Sequence, residues 1–318
     1  MKQVWIEGTG DVSHVHVRDV GEPVAAAGEV VVAIAACSVN YADLMQRDGL
    51  YVGGPTPPFA PGAEAAGTVI ACGPGVSTPA IGTRVMVTAR GGLQAERAVV
   101  RAASCMAIPD QVGFAEAAAF PVSFLTAYHA LTTCARAAAG EVVVIHAAGG
   151  GVGTAAVQIA KLLGLQVVAT ASTEDKRARV RALGADHVVG YDAFEEPVRA
   201  LGGAAIVLES IGGEILRRSL SVLMPLGRLV VFGVSGRDPR PLDPVKLLFR
   251  SQAVIGLHLD AIFARPDLLG ASVEWLLARV LDGRLAIQVG HALPLADVRR
   301  AHELLASRES YGKIVLLP

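Results

Sequence analysis

The chain has 318 residues, more than one hydrophobic core ordinarily fills, so two domains are expected. Its 28 basic and 29 acidic residues are dispersed and leave a formal net charge of −1, which argues against a nucleic-acid surface and for a small-molecule partner. Hydrophobic residues make up 52% of the chain, but the one stretch of about 18 residues free of charge and proline, 142–160, is interrupted by glycines, a histidine and a glutamine, so no membrane span is expected.

Residues 1–10 hold a lysine but no apolar stretch of signal-peptide length and no small-residue cleavage site, so a cytoplasmic location is expected. Up to about residue 120 the pattern is one of short β-rich runs, "HVHV", "EVVVAIAACSV", "AAGTVIACG", "TRVMVTA" and "ERAVVRA", broken by Gly-Pro and Pro-Pro turns. That spacing predicts an antiparallel, barrel-like domain. From about Pro121 to Val254 the rhythm becomes apolar strand, turn, helix. The strands are "EVVVIHA", "QVVATAS", "HVVGY", "AAIVLES" and "RLVVFGV", with helical stretches such as 173–183 and 214–223 between them. Strands alternating with helices predict a doubly wound parallel sheet, hence an α/β fold. Two further helices, "ASVEWLLARVLDG" and "LADVRRAHELLAS", and a terminal strand "KIVLLP" follow, and this tail is expected to return to the first domain. Cys37, Cys72, Cys105 and Cys134 lie far apart without a C-x-x-C pair, which reads as buried thiols rather than disulfides or a zinc knuckle.

The second domain opens with a fingerprint. Ala148-Gly149-Gly150-Gly151-Val152-Gly153 reads as G-x-G-x-x-G with alanine in the first glycine's place, after an apolar strand and before a helix. Small residues there permit a tight turn, let backbone approach a pyrophosphate, and allow close helix–sheet packing, while the helix start offers free N–H groups. A dinucleotide is the implied ligand, with Ala148, Gly150, Gly151, Val152 and Gly153 as its cradle. An acid some 20 residues on would hold a free ribose 2′-hydroxyl. Here Ala171 and Ser172 occupy that place, and Ser172, Lys176 and Arg177 suit a 2′-phosphate, so NADPH is favoured. The alternative is that Glu174 or Asp175 serves NADH.

Beyond these motifs, "SVNYADLMQRDGLY", "PGAEAAGTVIACGPGV", "GTRVMV", "AAAFPVSFLTAYHAL", "HAAGGGVGTAAVQIAKLLG" and "GKIVLLP" together resemble the medium-chain dehydrogenase/reductase superfamily over the whole chain. The likeness is to its zinc-independent quinone oxidoreductase and enoyl reductase branch, which includes relatives of the vesicle amine transport protein. The resemblance implies a GroES-like catalytic domain at 1–120 and 256–318, a Rossmann NAD(P)-binding domain at 121–255, and a homodimer joined edge to edge through "VKLLFRSQAVIGLHL". Zinc-using members bind their metal through a Cys, the His of Gly-His-Glu and a further Cys or Asp. Cys37 matches the first, but Gly62-Ala63-Glu64 and Val122 stand at the other two, and the structural-zinc cysteines are missing between Thr88 and Ser104, so neither zinc is expected.

The implied activity is hydride transfer from NADPH, with NADH as the alternative donor, to a conjugated C=C bond of an enone or enoyl thioester. The alternatives are reduction of a quinone, or NADPH binding without turnover. Without a Lewis acid, alcohol oxidation is disfavoured, whereas conjugate reduction needs only alignment and a few hydrogen-bond donors. Asn40 matches the family's asparagine near nicotinamide and substrate. Tyr41, beside it, is either a proton donor or a pocket wall, and Asp43 holds the loop. For the cofactor, the resemblance carries over Tyr191 for the ribose phosphate, Ser210, Gly212, Phe232 and Gly233 at strand ends, His258 towards the nicotinamide, and Lys313 in the cleft. For Tyr191, His258 and Lys313 the competing readings are strand-end packing, a hydrogen-bonded core histidine and a solvated lysine.

Overall fold

The computed structural model describes residues 1–239 and 241–318. The chain divides into two compact units, one of residues 1–122 and 287–318, the other of residues 123–286.

The first unit contains β1 (Lys2–Ile6), β2 (Val15–Asp19), β3 (Glu29–Val39), β4 (Glu64–Cys72), β5 (Arg84–Thr88), β6 (Arg97–Arg101) and β7 (Cys105–Ala107). Its last two strands, β14 (Val289–Pro294) and β15 (Lys313–Leu317), come from the end of the chain. β1 and β2 form an antiparallel ribbon, and the rest make a sheet in the order β14-β15-β3-β4-β5-β7 with β6 also on β3. The organising strand is β3. Its eleven residues, "EVVVAIAACSV", are mostly β-branched or small and mostly buried, as expected of a strand covered on both faces. One flank of β3 is shared, with β6 pairing to Glu29–Ala33 and β15 to Cys37–Val39, while β4 lies along the other. Gly67 of β4 permits the tightest approach, because a Cβ there would stand 2.0 Å from the carbonyl oxygen of Ala33.

The second unit carries β8 (Val142–Ile145), β9 (Gln166–Thr170), β10 (His187–Val189), β11 (Ala204–Glu209), β12 (Leu223–Val231) and β13 (Ala253–Gly256). They form one parallel sheet ordered β10-β9-β8-β11-β12-β13, the doubly wound order in which the chain reverses direction beside its first strand. The helix Gly151–Leu162 follows β8 and buries Ala155, Ala156, Ile159 and Ala160, small and branched residues that let it lie close to the sheet.

Two features depart from the sequence reading. Residues 256–286 belong to the second unit rather than the first, tied to it where the Gln158 amide donates to the Ala286 carbonyl and accepts from the Ala286 N–H. The sheet also has a sixth strand, β13, drawn from the apolar run that reads in sequence as an interface segment. No helix among the described residues is long and apolar enough to cross a membrane.

Near the β2 end of the first unit, Arg47 is buried and donates to the Gly10 carbonyl and to Nδ1 of His302 at 3.3 Å. Arginine can only donate, so this nitrogen accepts and the imidazole is neutral. Burial and the Arg47 charge push the His302 pKa down to about 3. A histidine held this way contributes stability in full above its unfolded pKa of about 6.5 and loses it as pH falls towards 3, because only the unfolded chain takes up the proton. Burial pushes Asp43 the other way, up to about 6, but that group is common to any His302 variant. Between pH 7 and pH 5, wild type should therefore lose about 2 kcal/mol more unfolding free energy than His302→Gln, as read by urea denaturation at both pH values. Equal losses would refute the assignment.

Candidate functional site

Functional side chains gather in two clusters, one in each unit. In the second unit β8 ends at Ile145 and the chain turns at once. Ala147 takes a left-handed φ of 50°, the Ala148 N–H donates to Thr170 O, and the Gly150 N–H donates back to Ala147 O. The helix then starts at Gly151 with Gly150 extended at its N-cap, so the N–H groups of Gly151, Val152 and Gly153 precede the first intrahelical bond, from Thr154 N–H to Gly150 O. Gly153 is obligatory by sterics, since a Cβ there would sit 2.3 Å from Ala147 O and 2.5 Å from the Ala148 Cα. Gly150 is different in kind. A Cβ there would meet only Ala147 O, at 3.3 Å, so sterics within the turn do not require glycine, whereas a ligand approaching the helix N–H groups would.

Lys176 lies across this turn. Its side chain is buried, and its methylenes pass 3.3–3.6 Å from where a Gly149 Cβ would be. Ser172 is exposed at the end of β9, and Arg177 donates to the carbonyls of Ala171 and Ser172 beside it. The two acids that compete in the sequence reading are both engaged elsewhere: Glu174 pairs with Arg177 and Arg181, and Asp175 with Arg179. Tyr191, half-buried, stacks on the ring of His146 with centroids 6.3 Å apart.

The carboxyl ends of β11 and β12 are laced together past the sheet. Phe232 N–H donates to Glu209 O, Ser235 N–H to Ser210 O, and Gly233 packs against Ser210. The Glu209 side chain folds back so that Oε1 accepts the N–H groups of Ile211 (2.5 Å) and Gly212 (3.0 Å). Burial holds its pKa above the usual carboxylate range.

A buried polar chain that sequence reasoning missed links these two loops. Nδ1 of His146 meets the Thr170 hydroxyl at 3.0 Å, Nε2 meets the Ser219 hydroxyl at 2.8 Å, and Ser219 reaches Glu209 at 3.5 Å. Burial pushes the His146 pKa down to about 3, so the ring is neutral. The available signal was its place, directly ahead of the glycine fingerprint. His258 follows Leu257, whose N–H donates to Val231 O at the end of β12. It is exposed and accepts from the Asp260 N–H, so the core-histidine reading of it is incorrect.

In the first unit the helix Tyr41–Arg47 starts at Asn40, whose own N–H donates to Asp43 Oδ2 at 2.8 Å. Asp43 also accepts from Gln94 at 3.2 Å. Tyr41 is half-buried against the barrel core. The carboxamide of Asn40 is held between two charges: Oδ1 accepts from Lys313 Nζ at 2.6 Å, and Nδ2 donates to Glu64 Oε1 at 3.0 Å. Lys313 and Glu64 pair with each other at 2.7 Å, and Glu64 Oε2 accepts the Val122 N–H at 2.8 Å. Lys313 is therefore not a solvated strand-start residue: it is 6% exposed, and Glu64 is wholly buried. Glu64 also escaped the sequence reading as a functional residue, although it stands in the Gly-Ala-Glu motif.

The same cluster decides what metal chemistry these residues offer. The Cys37 thiol is buried, points at the Leu316 carbonyl, and is pushed well above its usual pKa by desolvation. Glu64 is committed to an ammonium, an amide and a backbone N–H, and Val122 has no donor atom. Among the described residues no three His, Cys, Asp or Glu side chains group as metal ligands. One thiol and one carboxylate already held by three donors do not make up the three or four ligands a zinc ion takes.

Comparison with known proteins places the chain. Residues 26–130 match the alcohol dehydrogenase GroES-like domain and residues 151–272 the zinc-binding dehydrogenase family. The chain is 30% identical to the human synaptic vesicle membrane protein VAT-1 homolog over 95% of its own length and 82% of that protein. It is 38% identical, over 91% of its length, to a segment making up 5% of polyketide synthase GfsB of Streptomyces halstedii. Its structure superposes with a TM-score of 0.88 and 37% identity, over all of both chains, on the quinone oxidoreductase of Thermus thermophilus, a protein also crystallised with NADPH. With its two domain families, its glycine turn and its full-length relatives in agreement, the chain belongs to the medium-chain dehydrogenase/reductase superfamily, in the quinone oxidoreductase branch.

Proposed function

We propose that this protein is a zinc-free, NADPH-dependent reductase that delivers hydride to a conjugated C=C bond, with an enone or enoyl thioester as acceptor. The observation that carries the reading is the donor set at Cys37, Glu64 and Val122: it fits no zinc, and in its place an ion pair grips a partly exposed carboxamide, Asn40. Alcohol oxidation in this fold leans on a metal to stabilise an alkoxide. Conjugate reduction spreads the developing charge onto a carbonyl oxygen, where one or two well-aimed N–H or O–H donors suffice. A bound dihydronicotinamide would supply the hydride; the protein supplies alignment, donors and exclusion of water.

In this reading the N–H groups of Gly151, Val152 and Gly153 hold the diphosphate, with Ala148 and Gly150 giving the space. Lys176, together with Ser172 and Tyr191, takes the 2′-phosphate. Ser210, Phe232 and Gly233 line the strand ends against the cofactor. Asn40 donates to the substrate carbonyl, and Tyr41 supplies the proton or walls the pocket. His258, exposed just past β13 beside the end of β12, is kept for the nicotinamide end, whereas Lys313 is committed to Glu64 and Asn40 rather than to the cofactor. Quinone reduction is the second reading, favoured by the likeness to a quinone oxidoreductase over the entire chain. NADPH binding without turnover is the third.

NADPH consumption with short and branched enoyl thioesters, enones and quinones separates the three. The expected result is turnover of an activated alkene that persists in chelator; turnover of quinones alone supports the second reading, and binding without consumption refutes catalysis. Lys176→Ala should raise the KM for NADPH about 10- to 100-fold, the value of one charge-assisted phosphate contact, and leave the KM for NADH nearly unchanged. An equal change for both cofactors would sink the 2′-phosphate assignment.

We further propose a homodimer joined through the edge of the parallel sheet. Among the described residues β13 has a neighbour on one side only, and the helix Pro244–Arg250 before it exposes Val245, Leu248 and Phe249, the last at 84%. An open strand edge next to a contiguous apolar face is unfavourable in water. Light scattering is expected to give twice the chain mass for wild type and a monomer for Leu248→Glu/Phe249→Glu; a monomeric wild type would exclude the arrangement.

A further inference from the structure

We propose that Glu64 and Lys313 are positioning residues for Asn40: their buried ion pair locks the carboxamide in one orientation and leaves one amide N–H for the substrate's carbonyl oxygen. The inference rests on the reading of Asn40 as a donor given above. A carboxamide has a carbonyl end and an amino end of nearly equal shape, and on a surface it flips freely. Here the ends face unlike charges. The carbonyl oxygen meets the Lys313 ammonium at 2.6 Å and the amino nitrogen meets the Glu64 carboxylate at 3.0 Å. A flip would set donor against donor and acceptor against acceptor, losing two charge-assisted bonds at once.

The two charges are themselves fixed. Glu64 accepts from the Val122 N–H through its second oxygen, and Lys313 is the first residue of β15, whose next residue, Ile314, pairs with Val39. Both ions are buried, whereas Asn40 is partly exposed, so Asn40 is the member of the group with surface open to solvent. Of its two amide hydrogens Glu64 takes one. The backbone of Asn40 is held separately by Asp43, so the side chain's orientation is left to the ion pair.

The test is a double-mutant cycle in the full-length enzyme, read as kcat with the preferred alkene or quinone at saturating NADPH. Asn40→Ala is expected to lower kcat about 100-fold, the loss typical of one oxyanion donor. Glu64→Gln/Lys313→Met removes both charges together, so no lone ion is left buried and folding is preserved. Its kcat should fall about 10- to 100-fold with the NADPH dissociation constant and melting temperature near wild type. Adding Asn40→Ala should then cost almost nothing more, because the ion pair acts only through the amide. Should the paired variant fail to fold, Lys313→Arg, which keeps both charges but moves the donor that meets the Asn40 oxygen, is expected to lose less activity with the same absence of additivity. A wild-type rate in Asn40→Ala removes the donor reading on which this rests. A slow Asn40→Ala beside a wild-type paired variant, a paired variant altered only in NADPH binding, or losses that multiply would each overturn the positioning role.

Discussion

The structure of the first unit turns on the Glu64 carboxylate, a charge with no solvent exposure. A buried carboxylate is costly unless every lone-pair direction is answered, and here three donors answer it: an ammonium, an amide and a backbone N–H. Those donors come from residues 313, 40 and 122, so satisfying one charge brings together the end of the chain, the loop after β3 and the start of the helix Pro121–His129. The return of β15 to the barrel then follows from electrostatics as well as from the apolar packing of Ile314, Val315 and Leu316.

The second unit solves a different problem, the placing of two loops at the carboxyl end of a parallel sheet, and it uses neutral groups. His146 lies between the hydroxyls of Thr170 and Ser219; Ser219 gives its one proton to Ile215 O at 2.7 Å, so the neutral ring donates from Nε2 to Ser219 and accepts from Thr170 at Nδ1. The chain ends at Glu209, which spends its oxygen on the N–H groups of the following turn. A protonated imidazole here would place a positive charge in the core directly beneath the glycine turn, and burial opposes that strongly. The turn thus owes its shape to close packing at Gly153 and its footing to a polar chain that carries no net charge at the histidine.

Much of this was legible in the sequence where the signal was local. The run "EVVVAIAACSV" reads as β3 to the residue, and Thr173 is seen as the N-cap of the helix Glu174–Ala182 by accepting from Lys176 N–H. The glycine fingerprint needs six consecutive residues and nothing else. What escaped depends on distance or on ambiguity. β1 is only five residues long and alternates weakly, and β13 is four residues inside an apolar run that fits a strand or an interface equally well. Lys313 and Asn40 are 273 positions apart, so no spacing rule joins them, and a lysine opening a strand ordinarily projects into water. His258 misled for the opposite reason: a histidine among Leu257 and Leu259 looks buried, whereas its neighbours leave it at the surface of the chain.

The same residues underlie the proposal of hydride transfer without a metal. A zinc site needs its thiol ionised, yet Cys37 lies in the sheet against a carbonyl oxygen and in surroundings that resist the thiolate. Glu64, which stands in the motif that supplies a metal-binding histidine elsewhere in the superfamily, already accepts from an ammonium, an amide and a backbone N–H. Positive charge is nevertheless present beside it, carried by the Lys313 ammonium and passed outward as the polarity of a clamped amide. An ammonium buried behind an amide is too enclosed to bind an alkoxide directly, but it is well placed to fix which end of Asn40 faces out. That arrangement suits a reaction whose negative charge develops on an oxygen remote from the carbon that receives hydride, and it is of little use to one that must stabilise an alkoxide at the reacting carbon itself.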